Sequence, residues 1–268
     1  MNVIAKTSAA NKNTDSFKTA KDRHHSHTPA DSQRTPITTY RLQLGPQFTF
    51  RQAEEIVDYL AKLGVTDVYL SPILQAAPGS KHGYDVVNHS EISQEMGGLA
   101  AFKNLAKKIH AAQMHVIVDI VPNHMAVPTP LYLNRALWDV MRFGKESKYA
   151  NWFDISLVEH GEGVLMPVLG KRIGTVIADG EFSVEYKTIP GFEAEGEVPV
   201  LKYFDHIFPI RPGTESLPIS ELVDSQYYRL AYWRVANDEL NYRRFLTSTR
   251  LPQFAWKIRK FSANRMRC

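Results

Sequence analysis

Between residues 37 and 121 the hydrophobic pattern switches repeatedly between strand and helix periods, which leaves few architectures open. Residues 37–42 (Ile37-Thr38-Thr39-Tyr40-Arg41-Leu42) are β-branched and aromatic and predict a strand. Residues 50–63 predict a helix, with Ile56, Leu60 and Leu63 at helical spacing and Gly64 where a C-terminal cap belongs. Asp67-Val68-Tyr69-Leu70 predicts a second strand, followed by a long loop containing Pro78, Gly79, Gly83, Gly97 and Gly98. Residues 99–113 predict a second helix, with Phe102, Leu105, Ala106 and Ile109 on one face. Residues 115–121 form an apolar run after His115, interrupted only by Asp119, which predicts a third strand buried on both faces of a parallel sheet. Strand, helix, strand, helix, strand at this spacing means βαβ units. A doubly wound sheet and a (β/α)8 barrel both begin this way, and periodicity does not choose between them.

Charge argues against a nucleic-acid partner. The 268 residues carry a formal net charge of +4. Residues 1–35 hold six Lys/Arg and three Asp, and residues 246–268 hold six Lys/Arg and no acid. Of 32 basic and 28 acidic residues, 20 and 25 remain for residues 36–245, a net of −5. A nucleic-acid-binding fold carries its basic patch on the fold itself, whereas here the centre is acidic and the ends are basic. No apolar run approaches the roughly 18 residues of a membrane span, so no membrane partner is expected. The sole cysteine, Cys268, provides no disulfide framework and fits a reducing, cytoplasmic setting. The polar composition of residues 1–35 predicts a disordered tail. His24, His25 and His27 lie within it without the framed spacing of a metal site, and no metal or cofactor is expected.

The expected organisation is a tail at 1–35, the first βα units at 36–124, an inserted β-rich subdomain at 125–225, a return helix at 226–245 and a basic tail at 246–268. Strand-like pieces at 163–169, 175–177 and 182–186 define the insertion. The return helix is dense in aromatic residues (Tyr227, Tyr228, Tyr232, Trp233).

Two constellations could carry chemistry, each just past the C-terminal end of a predicted strand. The first is His82-Gly83-Tyr84-Asp85, and the second runs from Asp119 through Pro122 and Asn123 to His124. In an α/β barrel those strand ends form the functional face. An aromatic ring beside polar groups suits a sugar, whose C–H face packs on the ring while its hydroxyls need partners. Asp85 can accept from hydroxyls or an arginine, His124 can donate through a ring nitrogen, and Asn123 offers both a donor and an acceptor. Either motif alone is more often a packed loop, but the two on one face favour a site.

The segment from Asp119 to His124 resembles the first conserved region of the α-amylase superfamily (glycoside hydrolase family 13). His82-Gly83-Tyr84-Asp85 resembles the tyrosine-bearing loop of the same superfamily. Thr39-Tyr40-Arg41-Leu42-Gln43-Leu44, residues 63–73, residues 79–85 and residues 228–245 are similar to the maltooligosyl trehalose synthase family in particular. The resemblance implies an α/β fold in which this chain is the N-terminal part of a (β/α)8 TIM barrel with a β-rich insertion after the third strand. The implied activity is an intramolecular transglucosylation, by a retaining mechanism, that converts the reducing-end α-1,4 linkage of a maltooligosaccharide into an α,α-1,1 linkage. Tyr84 would stack on the reacting glucose, Asp85 would hold the polar network, and His124 would bind a hydroxyl. His82, Asp119 and Asn123 would shape the site.

An amylase-type hydrolase or trehalohydrolase and a non-catalytic glucan-binding remnant are the alternatives. The superfamily's nucleophile lies in a G-x-R-x-D motif, which residues 1–268 do not contain. About three of eight strands are accounted for, so the barrel is expected to be incomplete and the chain inactive alone. The resemblance stops at Phe245, where the sequence turns basic, as a truncation or frameshift would produce.

Overall fold

A computed structural model of the chain describes residues 34–155, 163–242 and 253–255. The expected tail at 1–35 lies almost wholly outside the described residues, as does most of 243–268.

The part from Ile37 onward forms one compact unit. It opens with β1 (Thr39–Leu42), followed by helices α1 (Phe50–Glu55) and α2 (Val57–Lys62) and by β2 (Asp67–Leu70). A hairpin of β3 (Leu74–Ala76) and β4 (Val86–Ile92), helix α3 (Gly98–Ala111) and β5 (His115–Val118) complete this half. The sheet order is β1-β2-β5, and both pairings are parallel. This is the βαβ alternation expected from the sequence.

Local chemistry sets the helix ends. The Gln52 side-chain carbonyl accepts the Thr49 N–H at 2.8 Å, the reach-back half of a capping box. Gly64 (φ +84°) turns the chain out of α2, and Val65 N–H donates to the Leu60 carbonyl at 3.1 Å. Leu42, Phe50, Ala53, Leu60, Val68, Leu70, Leu105 and Ile109 form the core between helices and sheet. Phe50 packs on Phe102 at 5.6 Å between ring centroids, which joins α1 to α3.

Three details of this half differ from expectation. The first helix is broken at Ile56 (φ −98°, ψ 0°) into two short helices. The expected long loop after β2 contains the β3–β4 hairpin, antiparallel with two register shifts. The third strand is shorter than its apolar run, and all four of its residues are only partly buried. Within the β1-β2-β5 sheet β5 has one neighbour, and only Val116 and Val118 pack on the helix-side core. A period-free apolar run cannot reveal that one edge is open.

Beyond β5 lie β6 (His124–Ala126), helix α4 (Arg135–Phe143), β7 (Val164–Leu169), α5 (Ile173–Ala178), β8 (Phe182–Thr188), β9 (Glu197–Tyr203) and β10 (His206–Pro209). Then come α6 (Ile219–Asp224), β11 (Tyr228–Tyr232), α7 (Ala236–Glu239) and β12 (Gln253–Ala255). Strands β8, β9 and β10 form an antiparallel meander, and β11 pairs parallel with β7. Their shared core includes Trp138, Val164, Met166, Leu201, Phe208, Leu222, Tyr228 and Tyr242. Asn134, fully buried, accepts the Leu137 N–H at 3.1 Å and donates to the Ala126 carbonyl at 2.8 Å. It thus caps α4 and ties that helix to β6.

The sequence reading misplaced two elements here. Residues 175–177 belong to helix α5 rather than a strand. The stretch read as a return helix from residue 226 begins instead as strand β11, with Tyr228, Leu230 and Ala231 buried and Arg229 exposed. Dense aromatic and charged residues fit either period, and pairing with β7 decides for the strand. The same core runs through Tyr228 and Tyr242, so the structure shows no boundary at residue 225. In the basic tail, β12 pairs antiparallel with β6, and the remainder of the tail lies outside the described residues.

Candidate functional site

The β1-β2-β5 register aligns Arg41 with Tyr69 and Tyr69 with Ile117. Their neighbours Leu42, Val68, Leu70 and Val118 belong to the helix-side core, so by strand alternation this row faces the other way. Asp119 follows two residues after Ile117, and its N–H donates to the Leu70 carbonyl at 3.0 Å, extending the ladder. Its carboxylate therefore emerges beside Tyr69 at the C-terminal end of the parallel sheet.

A network forms around that carboxylate. The Tyr69 hydroxyl donates to Asp119 Oδ2 at 2.9 Å, and the Tyr84 hydroxyl donates to the same oxygen at 2.6 Å. Arg41 Nη2 donates to the Tyr84 hydroxyl at 3.5 Å, and its Nη1 to Gln43 Oε1 at 2.9 Å. The Arg41 guanidinium also lies 5.7 Å from the centre of the Tyr69 ring. The bond to the carboxylate raises the Tyr69 phenol above its ordinary pKa. The bond to Tyr84 raises Arg41 further still. The site thus presents two phenols held as donors, a fixed cation and the exposed Tyr84 ring.

The loop that carries Tyr84 is built around Asp85. Ser80 Oγ donates to Asp85 Oδ1, and the same Oγ accepts the Gly83 N–H at 3.1 Å. His82 Nδ1 accepts the Tyr84 N–H at 3.1 Å, and the two rings stack with centroids 6.1 Å apart. Asp85 is buried at 7% exposure, so it organises the loop from beneath. Gly79 N–H donates to both oxygens of Glu95 at 3.1 Å, which pins the loop's other side.

His124, at 2% exposure, is the largest departure from the expected arrangement. Its Nε2 lies 3.0 Å from the Tyr84 carbonyl, and its Nδ1 lies 3.1 Å from Asn123 Oδ1. Burial lowers its pKa and favours the neutral ring, which has a single N–H. Donation from Nε2 to the carbonyl makes Nδ1 an acceptor, which the Asn123 amide serves once its NH2 group is turned toward it. In this structure His124 ties two loops together and is not open to an incoming hydroxyl. Asn123 and His82 are exposed at the rim.

The structure brings Tyr84, Asp119 and His124 into one network, with Asp85 beneath it. Sequence reasoning did not single out Arg41, Tyr69, Gln43 or Ser80. Strand alternation could have found two of them, since Arg41 and Tyr69 each precede a core leucine or follow a core valine on the opposite face. Among the described residues, no group of three His, Cys, Asp or Glu is placed to hold a metal, and no helix is long and apolar enough to cross a membrane.

Buried and partly buried imidazoles make stability depend on pH. His89, His124 and His206 all have pKa values lowered from the ordinary 6.5, with burial the leading cause. The unfolded chain therefore binds more protons than the folded one below pH 6.5. Stability should be fully present above that value and fall as pH drops from there toward the folded values. Urea unfolding at pH 7.5 and 5.5 checks this. A lower midpoint is expected at pH 5.5, and an equal or higher one contradicts the assignment.

Comparison with known proteins places these features. Residues 53–174 match the model of the α-amylase catalytic domain. A Mycobacterium tuberculosis protein provisionally named maltooligosyl trehalose synthase is 38% identical over 221 residues, covering 80% of this chain and 26% of the relative. The structure of maltooligosyltrehalose synthase from Arthrobacter ramosus superposes with a TM-score of 0.72 at 40% identity, covering 82% of this chain and 27% of that one. A further crystal structure of a maltooligosyl trehalose synthase gives a TM-score of 0.73 at 34% identity, covering 84% and 29%. The chain thus spans about a quarter of the length of these relatives.

Proposed function

Because this chain belongs to the α-amylase superfamily and matches maltooligosyl trehalose synthases along about four-fifths of its length, we propose that it forms part of the glucan-binding face of such an enzyme. The parallel sheet then represents the first three strands of a (β/α)8 barrel, and the second core represents an insertion after the third. The reaction served is (1→4)-α-D-glucan 1-α-D-glucosylmutase chemistry in trehalose biosynthesis. The C1–O4 bond at the reducing end breaks, and the same C1 bonds to the anomeric oxygen of the released glucose, with no net water consumed.

The observation that carries this reading is the Tyr84 ring, 36% exposed, with its hydroxyl held 2.6 Å from Asp119. A ring fixed at its polar end stacks on a pyranose without losing rotamer freedom on binding. Asp119, Tyr69 and Arg41 hold that ring. Asp85 and His124 fix the backbone on either side, and His82 and Asn123 border it.

Turnover by this chain alone is not expected. A retaining mechanism uses two carboxyl groups about 5–5.5 Å apart, one as nucleophile and one as acid/base. Among the described residues of the site, Asp119 is engaged by two phenols and Asp85 is buried against Ser80. Residues 1–268 also contain no G-x-R-x-D segment to supply a nucleophile.

Titration with maltopentaose, alongside cellopentaose as control, tests the reading. Selective maltopentaose binding is expected, weakened about tenfold by Tyr84→Ala, with the count of reducing ends constant over hours. Absence of binding overturns the glucan-face reading. A fall in reducing ends shows that the chain is itself a synthase, and a rise shows a hydrolase.

A further inference from the structure

Besides the Tyr84–Asp119 bond, two histidine ties cross between the β3–β4 hairpin and the segment after β5. In one, His124 reaches from the segment to the Tyr84 carbonyl at 3.0 Å. The other runs the opposite way: His89, on β4, places Nε2 2.8 Å from the carbonyl of Val121. Val121 is 4% exposed and sits between Asp119 and Asn123, where the chain leaves the sheet and turns into β6. Its carbonyl is an acceptor removed from water, so a protein donor matters there.

We propose that His89 is a positioning residue for this site, donating from Nε2 to the Val121 carbonyl and so setting where Asp119 and His124 stand relative to Tyr84. The role rests on the glucan-face reading above, but its structural part can be tested independently. His89 makes its contact to backbone and is partly buried on β4. The two ties are complementary. Asp119 anchors the start of the segment through the Leu70 carbonyl and the Tyr84 hydroxyl, and His124 anchors its end. The His89 bond, three residues before His124, holds the turn between those two anchors. Asp119 then meets the Tyr84 hydroxyl at 2.6 Å without a search. Geometry held in advance in this way reduces the ordering that ligand binding would otherwise require.

The test compares His89→Phe, which keeps a planar ring but has no donor, with His89→Gln, whose amide N–H can reach the same carbonyl. Both are made in the full chain. Hydrogen–deuterium exchange of peptides covering residues 119–126 is the first measurement, with β8–β9 peptides as internal control. His89→Phe should exchange about tenfold faster in 119–126 and at the wild-type rate in β8–β9, and His89→Gln should stay within about twofold of wild type. Maltopentaose affinity is the second measurement, and it should fall about tenfold in Phe and recover in Gln. Phe indistinguishable from wild type in 119–126 exchange, or Gln as impaired as Phe, overturns the proposal. If the wild-type chain binds no maltopentaose, the glucan-face reading fails and the exchange comparison alone decides the role of His89.

Discussion

Gly83→Ala should abolish most of the maltopentaose binding and lower stability by about 2–4 kcal/mol. Two penalties coincide at this residue. Its φ is +78°, a conformation that an L side chain adopts only at a cost of roughly 1–2 kcal/mol. A Cβ there would also lie 2.7 Å from the Pro72 carbonyl oxygen. That oxygen is backbone and cannot swing aside as a flexible side chain would. Relief requires moving the loop, and Gly83 directly precedes Tyr84 and Asp85, so the ring and the carboxylate move with it. Gly180→Ala separates the two penalties, because Gly180 has φ +66° but no atom within 4 Å of the added Cβ. It should show only the conformational cost, with maltopentaose affinity unchanged. Denaturant midpoints and titrations on both variants check the pair. Equal losses in the two would show that the contact with Pro72 contributes nothing.

Trp138→Ala should destabilise the second core by about 3–5 kcal/mol and lower the melting temperature by roughly 6–20 °C. Trp138 is 1% exposed on α4 and meets the Tyr132 ring edge-on at 6.1 Å. Removing the indole leaves a cavity walled by elements anchored elsewhere, including α4 itself, which Asn134 ties to β6. Those walls cannot collapse freely, so the cost falls toward the upper part of the range. Trp138→Phe should cost much less. It keeps most of the volume and removes an indole N–H that has no hydrogen-bond partner among the described residues. Thermal unfolding of the two variants checks this, and a Phe variant as unstable as Ala would contradict the packing account.

The sequence by itself determined the three parallel strands, their alternation with helical segments and the place of the Asp119 motif at the end of the third strand. These depend on local signals: β-branched runs, a helical stripe ending at Gly64, and glycine-rich connections. The likeness of residues 119–124 and 82–85 to one superfamily was likewise contained in short contiguous segments. Tertiary structure alone decided three other matters. Residues 228–232 became a strand because residues 164–169 lie beside them as a parallel partner, and pairing so distant along the chain leaves no periodic trace. His124 became a buried tie because the β3–β4 hairpin brings the Tyr84 carbonyl to its ring, whereas the motif alone suggested a free donor. Arg41 and Tyr69 joined the site because the register of β1 against β2 sets them in one row facing Asp119. Local periodicity fixes which side of a strand a residue occupies. Only the neighbouring strands fix what it meets there.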